Sequence, residues 1–158
     1  LLITKYPYRI KLMLKTDTQR SMKSHDELKL PVFNWVGKKI LIVEDDYVNY
    51  LLFHEMLACS YACLIRAVSL QEAFDMLGSG TNFDLIIANV NMPGNENCRS
   101  IKRIKLLWPH IRIIAISVND CRKVKNHCNP SGCDTMINYG IDSYDMRNVV
   151  NEMFYPVN

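Results

Sequence analysis

No run of about 18 apolar residues occurs in the 158-residue chain, so the sequence contains no candidate transmembrane helix. Leu1-Leu2-Ile3-Thr4-Lys5 lacks the charged start, apolar run and small-residue cleavage site of a secretory signal. The chain opens on Leu1 rather than Met, so its start is expected to be trimmed or to lie upstream. A strong excess of either charge is also missing. With 19 Lys and Arg against 16 Asp and Glu, the net charge of +3 is too mild to argue by itself for a nucleic-acid surface. No cofactor loop and no nucleophile–base pair is visible, so catalytic turnover is not expected and the chain reads as a non-enzyme. The six cysteines show no paired C-x-x-C spacing. Cys121, His127, Cys128 and Cys133 cluster, but zinc is not expected there, and all six are read as reduced thiols of a cytoplasmic protein.

What is present is a core and a rhythm. Hydrophobic residues make up 49% of the chain and charged residues 22%, enough apolar side chain to close a domain. From residue 38 onward, short apolar runs alternate with helix-like segments. Lys39 to Val43, Cys63 to Val68, Asp84 to Val90, Arg112 to Val118 and Thr135 to Tyr139 read as strands, several too apolar to be half exposed. Helices are expected over 46–58, with Val48, Leu51, Leu52 and Met56 inward, and over about 69–77, with Ser69 and Glu72 as a capping box. Further helices are expected over 98–108, with Ile101, Ile104, Leu107 and Trp108 inward, over about 120–127, and from Asp142 or Ser143 to about Met153. Five strand–helix units in series predict an α/β fold, a doubly wound five-stranded parallel sheet. In such a sheet the site forms at the carboxyl ends of the strands. That singles out Glu44-Asp45-Asp46, Asn89, Ser117 and Tyr139.

Three motifs carry a family resemblance: Ile40-Leu41-Ile42-Val43-Glu44-Asp45-Asp46, Phe83-Asp84-Leu85-Ile86-Ile87-Ala88-Asn89-Val90-Asn91-Met92-Pro93-Gly94, and Ile111-Arg112-Ile113-Ile114-Ala115-Ile116-Ser117. Residues 38–154 resemble the receiver domain of bacterial response regulators, with a flavodoxin-like (βα)5 fold. The resemblance implies an acidic pair, Glu44 and Asp45, that holds Mg²⁺. It implies a phospho-accepting aspartate at the end of the third strand, a hydroxyl at Ser117, and a lysine then a proline after the fifth strand. This chain departs from that pattern at Asn89, Tyr139 and Gly140. A carboxamide is a poor oxygen nucleophile, and a phenol supplies no cation for a transferring phosphoryl group. The expectation is a degenerate pseudo-receiver in two-component signalling, with Tyr139 as a plug in the vacated pocket. No cofactor is required, and Mg²⁺ at Glu44 and Asp45, if retained, is weak.

The expected partners are a histidine kinase, another response regulator or a second copy of the chain, with neither nucleic acid nor membrane. The alternative is a metal- or redox-responsive sensor that uses the Glu44/Asp45 pocket or the cysteines. The basic run Arg99 to Lys105 reads first as a solvated helix face, with protein docking as its second reading. Residues 1–37 form a leading extension or linker. Tyr8 to Lys15 alternates like a half-buried strand, and Trp35 is expected against the lower edge of the sheet.

Overall fold

The computed structural model describes residues 33–93, 98–117 and 132–156. The expected strand within 8–15, the helix over 120–127, and Cys121, His127 and Cys128 lie outside these residues. Five strands form one sheet: β1 (Lys39–Val43), β2 (Cys63–Ala67), β3 (Leu85–Asn89), β4 (Arg112–Ser117) and β5 (Thr135–Asn138). Their order is β2-β1-β3-β4-β5, and every pairing is parallel. Four helices are described: α1 (Tyr47–Ala58), α2 (Leu70–Gly78), α3 (Arg99–Leu107) and α4 (Ser143–Phe154). This is the doubly wound α/β fold that the alternation predicted.

The alternation of side chains along each strand explains why both faces need helices. Ile40, Ile42, Leu85, Ile87, Ile114 and Ile116 point to one face, where Leu52, Phe53, Met56 and Leu57 of α1 meet Met146 and Val150 of α4. Leu41, Val43, Ile86, Ala88, Ile113 and Ala115 point to the other, against Ala73 and Leu77 of α2 and Ile101 and Ile104 of α3. Each wholly buried Leu or Ile contributes about 1.5–3 kcal/mol, so neither face could be left in water. Among the described residues no helix is long and apolar enough to cross a membrane.

The helix ends are built from the residues that the sequence marks for them. Asp46 caps α1 by accepting from Asn49 N–H at 3.0 Å. Ser69 accepts from Glu72 N–H at 3.1 Å, and Glu72 reaches back to Val68 N–H at 2.7 Å, closing a capping box one residue wider than expected. Of the two caps proposed for α4, Asp142 serves, accepting from Tyr144 and Asp145 N–H.

Three inward assignments need correction. Val48 and Leu51 are exposed, and α1 instead buries Asn49, Leu52, Phe53, Met56 and Leu57. Leu107 is exposed as well, while Trp108 packs half-buried on the α2/α3 side. Phe33 and Trp35, read with the leading segment, pack with the sheet and its helices. Trp35 is wholly buried, its indole N–H donates to Asn151 Oδ1 at 3.2 Å, and its ring meets Phe33 and Phe154. Phe33–Asn158 is one compact unit.

Candidate functional site at the carboxyl edge of the sheet

The strand register brings the candidate residues to one edge. Val43 of β1 pairs with Ala88 of β3, so Glu44 and Asn89 stand side by side. Asn89 pairs with Ile116, and Ser117 with Asn138, so Ser117 and Tyr139 follow in line. The strand order reverses between β1 and β3, where open parallel sheets place their sites.

Glu44 is the centre of the arrangement and only 1% exposed. The Tyr139 hydroxyl donates to its Oε2 in a short hydrogen bond. Its Oε1 accepts from Asp46 N–H at 3.0 Å and from Asn89 Nδ2 at 3.2 Å. The buried Asn49 side chain lies near the same carboxylate and favours its charged form. Burial pushes the Glu44 carboxyl above the ordinary carboxylate range, and Tyr139, Asp46, Asn89 and Asn49 offset only part of that. No lysine or arginine side chain among the described residues pairs with it.

The neighbours of Glu44 are equally engaged. Asn89 turns its Nδ2 to Glu44, and its Oδ1 accepts Asn91 N–H at 2.8 Å. Ser117 is wholly buried and donates to Asn91 Oδ1 at 3.3 Å. Tyr139 is 5% exposed, and its ring sits in the apolar cluster 5.5 Å from that of Phe53. Gly140 N–H donates to Asn138 Oδ1. Asp45 behaves differently from Glu44. It is exposed and makes no side-chain hydrogen bond among the described residues, so the acidic pair is split between interior and surface.

Two participants escaped the sequence reading. Asn49 is buried beside Glu44, and its signal is a polar residue inside the inward stripe of α1. Arg66 interrupts the apolar run of β2. It donates to the Glu44 carbonyl at 3.1 Å and the Asp45 carbonyl at 2.8 Å, and it lies 5.2 Å from the ring centroids of both Tyr47 and Tyr50. It therefore fixes the backbone after β1 rather than neutralising a carboxylate. The cysteines also need a correction. Cys59, Cys63 and Cys133 carry free thiols, but Cys98 is disulfide-bonded, against the expectation of six reduced thiols.

Comparison with known proteins places this site in a family. The family model described as "Response regulator receiver domain" matches residues 40–151. The sensor histidine kinase RcsC of Escherichia coli (strain K12) is 28% identical over 99 residues, which are 62% of this chain and 10% of that protein. The chain thus corresponds to about a tenth of the length of that relative. A two-component response regulator from Clostridium difficile superposes with a TM-score of 0.69 at 17% identity, covering 77% of this chain and 98% of that one. The co-crystal structure of the Saccharomyces cerevisiae histidine phosphotransfer protein Ypd1 and the receiver domain of Ssk1 matches with a TM-score of 0.68 at 19% identity, over 78% of this chain and 91% of that one. At those identities the structural likeness speaks for the fold, and the family match speaks for descent: the chain belongs to the response regulator receiver domains of two-component signalling.

Proposed function

We propose that this receiver domain acts by protein–protein interaction, without phosphorylation of an aspartate and without Mg²⁺. The observation that carries the proposal is the closed hydrogen-bond network of Glu44, Tyr139 and Asn89. Both Glu44 oxygens are engaged by protein donors, Oε2 by the Tyr139 hydroxyl and Oε1 by Asp46 N–H and Asn89 Nδ2. Mg²⁺ takes near-octahedral oxygen ligation, so it would have to displace the Tyr139 hydroxyl or the Asp46 N–H to reach Glu44. The remaining oxygens do not compensate. Asp45 stands apart at the surface, and Asn89 is neutral with its Oδ1 on Asn91 N–H. The residues present therefore do not fit the cation that the family implies. They do not fit the phosphoryl group either, because Asn89 lacks a carboxylate nucleophile and the Tyr139 ring fills the position after β5.

The partner follows from the family. A histidine kinase, a phosphotransfer protein of the kind crystallised with Ssk1, or another response regulator is the expected class. The exposed Tyr47, Val48 and Leu51 on the first two turns of α1 offer an apolar contact beside the pocket. The metal-responsive alternative gains no support, since among the described residues no three His, Cys, Asp or Glu side chains gather to hold a metal ion.

Intact-mass spectrometry after incubation with Mg²⁺ and a small-molecule phosphodonor tests the proposal. The expected result is an unchanged mass. A stoichiometric phosphate adduct would overturn it.

A further inference from the structure

Away from the pocket, α3 carries a surface with a pronounced chemical character. Arg99, Lys102, Arg103 and Leu106 recur at i, i+3, i+4 and i+7, so they form one stripe, and all four are exposed. The opposite face is the buried pair Ile101 and Ile104. Leu106 is 75% exposed and Leu107 beside it 55%, two adjacent leucines left in water at the end of the helix.

The charge on this helix has no internal counterpart. From Arg99 to Arg112 the sequence holds five Lys and Arg and no Asp or Glu. Asp134 answers two of them, accepting from Lys105 and Arg112 at 2.7 Å each. Arg103 sits over the ring of Phe74 of α2, 4.4 Å from its centroid, and Phe74 in turn meets Trp108. Arg99 and Lys102 have neither an ion pair nor a hydrogen-bond partner among the described residues. The surface between α2 and α3 is therefore a strip of free or solvent-facing cations around an apolar centre.

We propose that this strip docks an acidic, apolar-anchored segment of a partner protein, with carboxylates on Arg99, Lys102 and Arg103 and an apolar side chain on Leu106 and Leu107. Charge complementarity selects the occupant. A nucleic acid presents phosphates but gives the two leucines nothing to bury against. A second copy meeting the strip with its own strip sets like charges together. The inference is independent of the pocket's phosphorylation state, because none of these residues touches Glu44, Asn89 or Tyr139.

The test titrates the isotope-labelled protein with a synthetic amphipathic helical peptide whose leucine stripe is flanked by glutamates, read by amide chemical shifts. The expected shifts fall on Arg99 to Leu107 and around Phe74. The double charge reversal Arg99→Glu with Arg103→Glu weakens binding by about tenfold or more, and Leu106→Ser weakens it too, while Lys39→Glu on the exposed start of β1 leaves it unchanged. All these positions are exposed, and circular dichroism verifies that each variant is folded. Four outcomes would each overturn the proposal: no binding, shifts centred elsewhere, equal binding of the peptide with lysines in place of glutamates, or preferential binding of duplex DNA. Self-association lost on the same charge reversal would overturn it in favour of a homodimer face.

Discussion

Tyr139→Phe isolates the contact on which the pocket closes. The substitution keeps the ring and its packing on Phe53 and removes only the hydroxyl that donates to Glu44 Oε2. A hydrogen bond to a charged, buried acceptor is worth about 1.5–3 kcal/mol, because the carboxylate left behind has no water to turn to. The pH dependence carries the sharper signature. Burial already holds the Glu44 pKa above its ordinary value, and the Tyr139 hydroxyl is the strongest of the groups that lower it. Without that hydroxyl the folded-state pKa rises further. A raised folded pKa means that the native state binds a proton that the unfolded chain has released, so stability falls as pH rises from the ordinary carboxyl value through the folded one. The loss in Tyr139→Phe is therefore small in acid, where Glu44 is protonated in both proteins, grows once the wild-type carboxylate ionises, and reaches its full size above the variant's still higher folded pKa. Urea unfolding across that range measures it. At neutral pH a loss of about 2 kcal/mol corresponds to a Tm lower by roughly 7 °C for a domain of this size. A variant as stable as wild type at neutral pH, or a loss of equal size in acid, would refute the assignment of Tyr139 as the donor that satisfies Glu44.

Asn89→Asp alone replaces the Nδ2 donor, 3.2 Å from Glu44, with a second carboxylate. It is expected to destabilise the fold by about 2 kcal/mol and to restore little phosphorylation, whereas Asn89→Asp with Tyr139→Lys supplies the missing cation and restores more. Intact-mass spectrometry with a phosphodonor separates the two, and full restoration by the single change contradicts the role given to Tyr139. Asp134 gives the opposite pH sign to Glu44. Burial raises its pKa, but the hydrogen bonds from Lys105, Arg112 and Ile113 N–H outweigh that and hold it below the ordinary carboxylate range. Its contribution is present above that range and is lost as pH falls through the lowered value, so Asp134→Asn flattens the acid limb of a stability–pH curve. An unchanged acid limb refutes the network.

Most of the sheet was legible because its strands are nearly continuous Ile, Leu and Val, which suits only a layer covered on both sides. The edge residues followed from the same rule, since a parallel register carries the ends of β1, β3, β4 and β5 to one side. The errors lie where polarity and burial part company. On α1 the apolar Val48 and Leu51 face out and the polar Asn49 faces in. A hydrophobic wheel scores Asn49 as outward because it weighs side-chain transfer alone, and the polar pocket around Glu44 that it lies near is contributed by other elements. Leu107 fails for a related reason: the wheel places it near Ile104, but the helix ends there and nothing among the described residues covers it. Arg66 was illegible because its partners are backbone carbonyls, which every sequence supplies.

The network also explains why the departures at Asn89 and Tyr139 belong together. Glu44 is buried, and among the described residues no cation pairs with its carboxylate, an arrangement that costs several kcal/mol unless the carboxylate is hydrogen-bonded or protonated. In the pattern that the family implies, a metal and a lysine would balance the acidic residues. Here Asn89 contributes a donor in place of a charge, and Tyr139 contributes a donor in place of a cation. Either change alone leaves the balance wrong. An aspartate at 89 facing Tyr139 adds a second buried negative charge. A lysine at 139 facing Asn89 offers Glu44 an ion pair but leaves an amide aimed at an acceptor already taken. Only the pair satisfies Glu44 with neutral groups, so the two positions act through one carboxylate, and their energetic coupling should be measurable as non-additivity between Asn89→Asp and Tyr139→Lys.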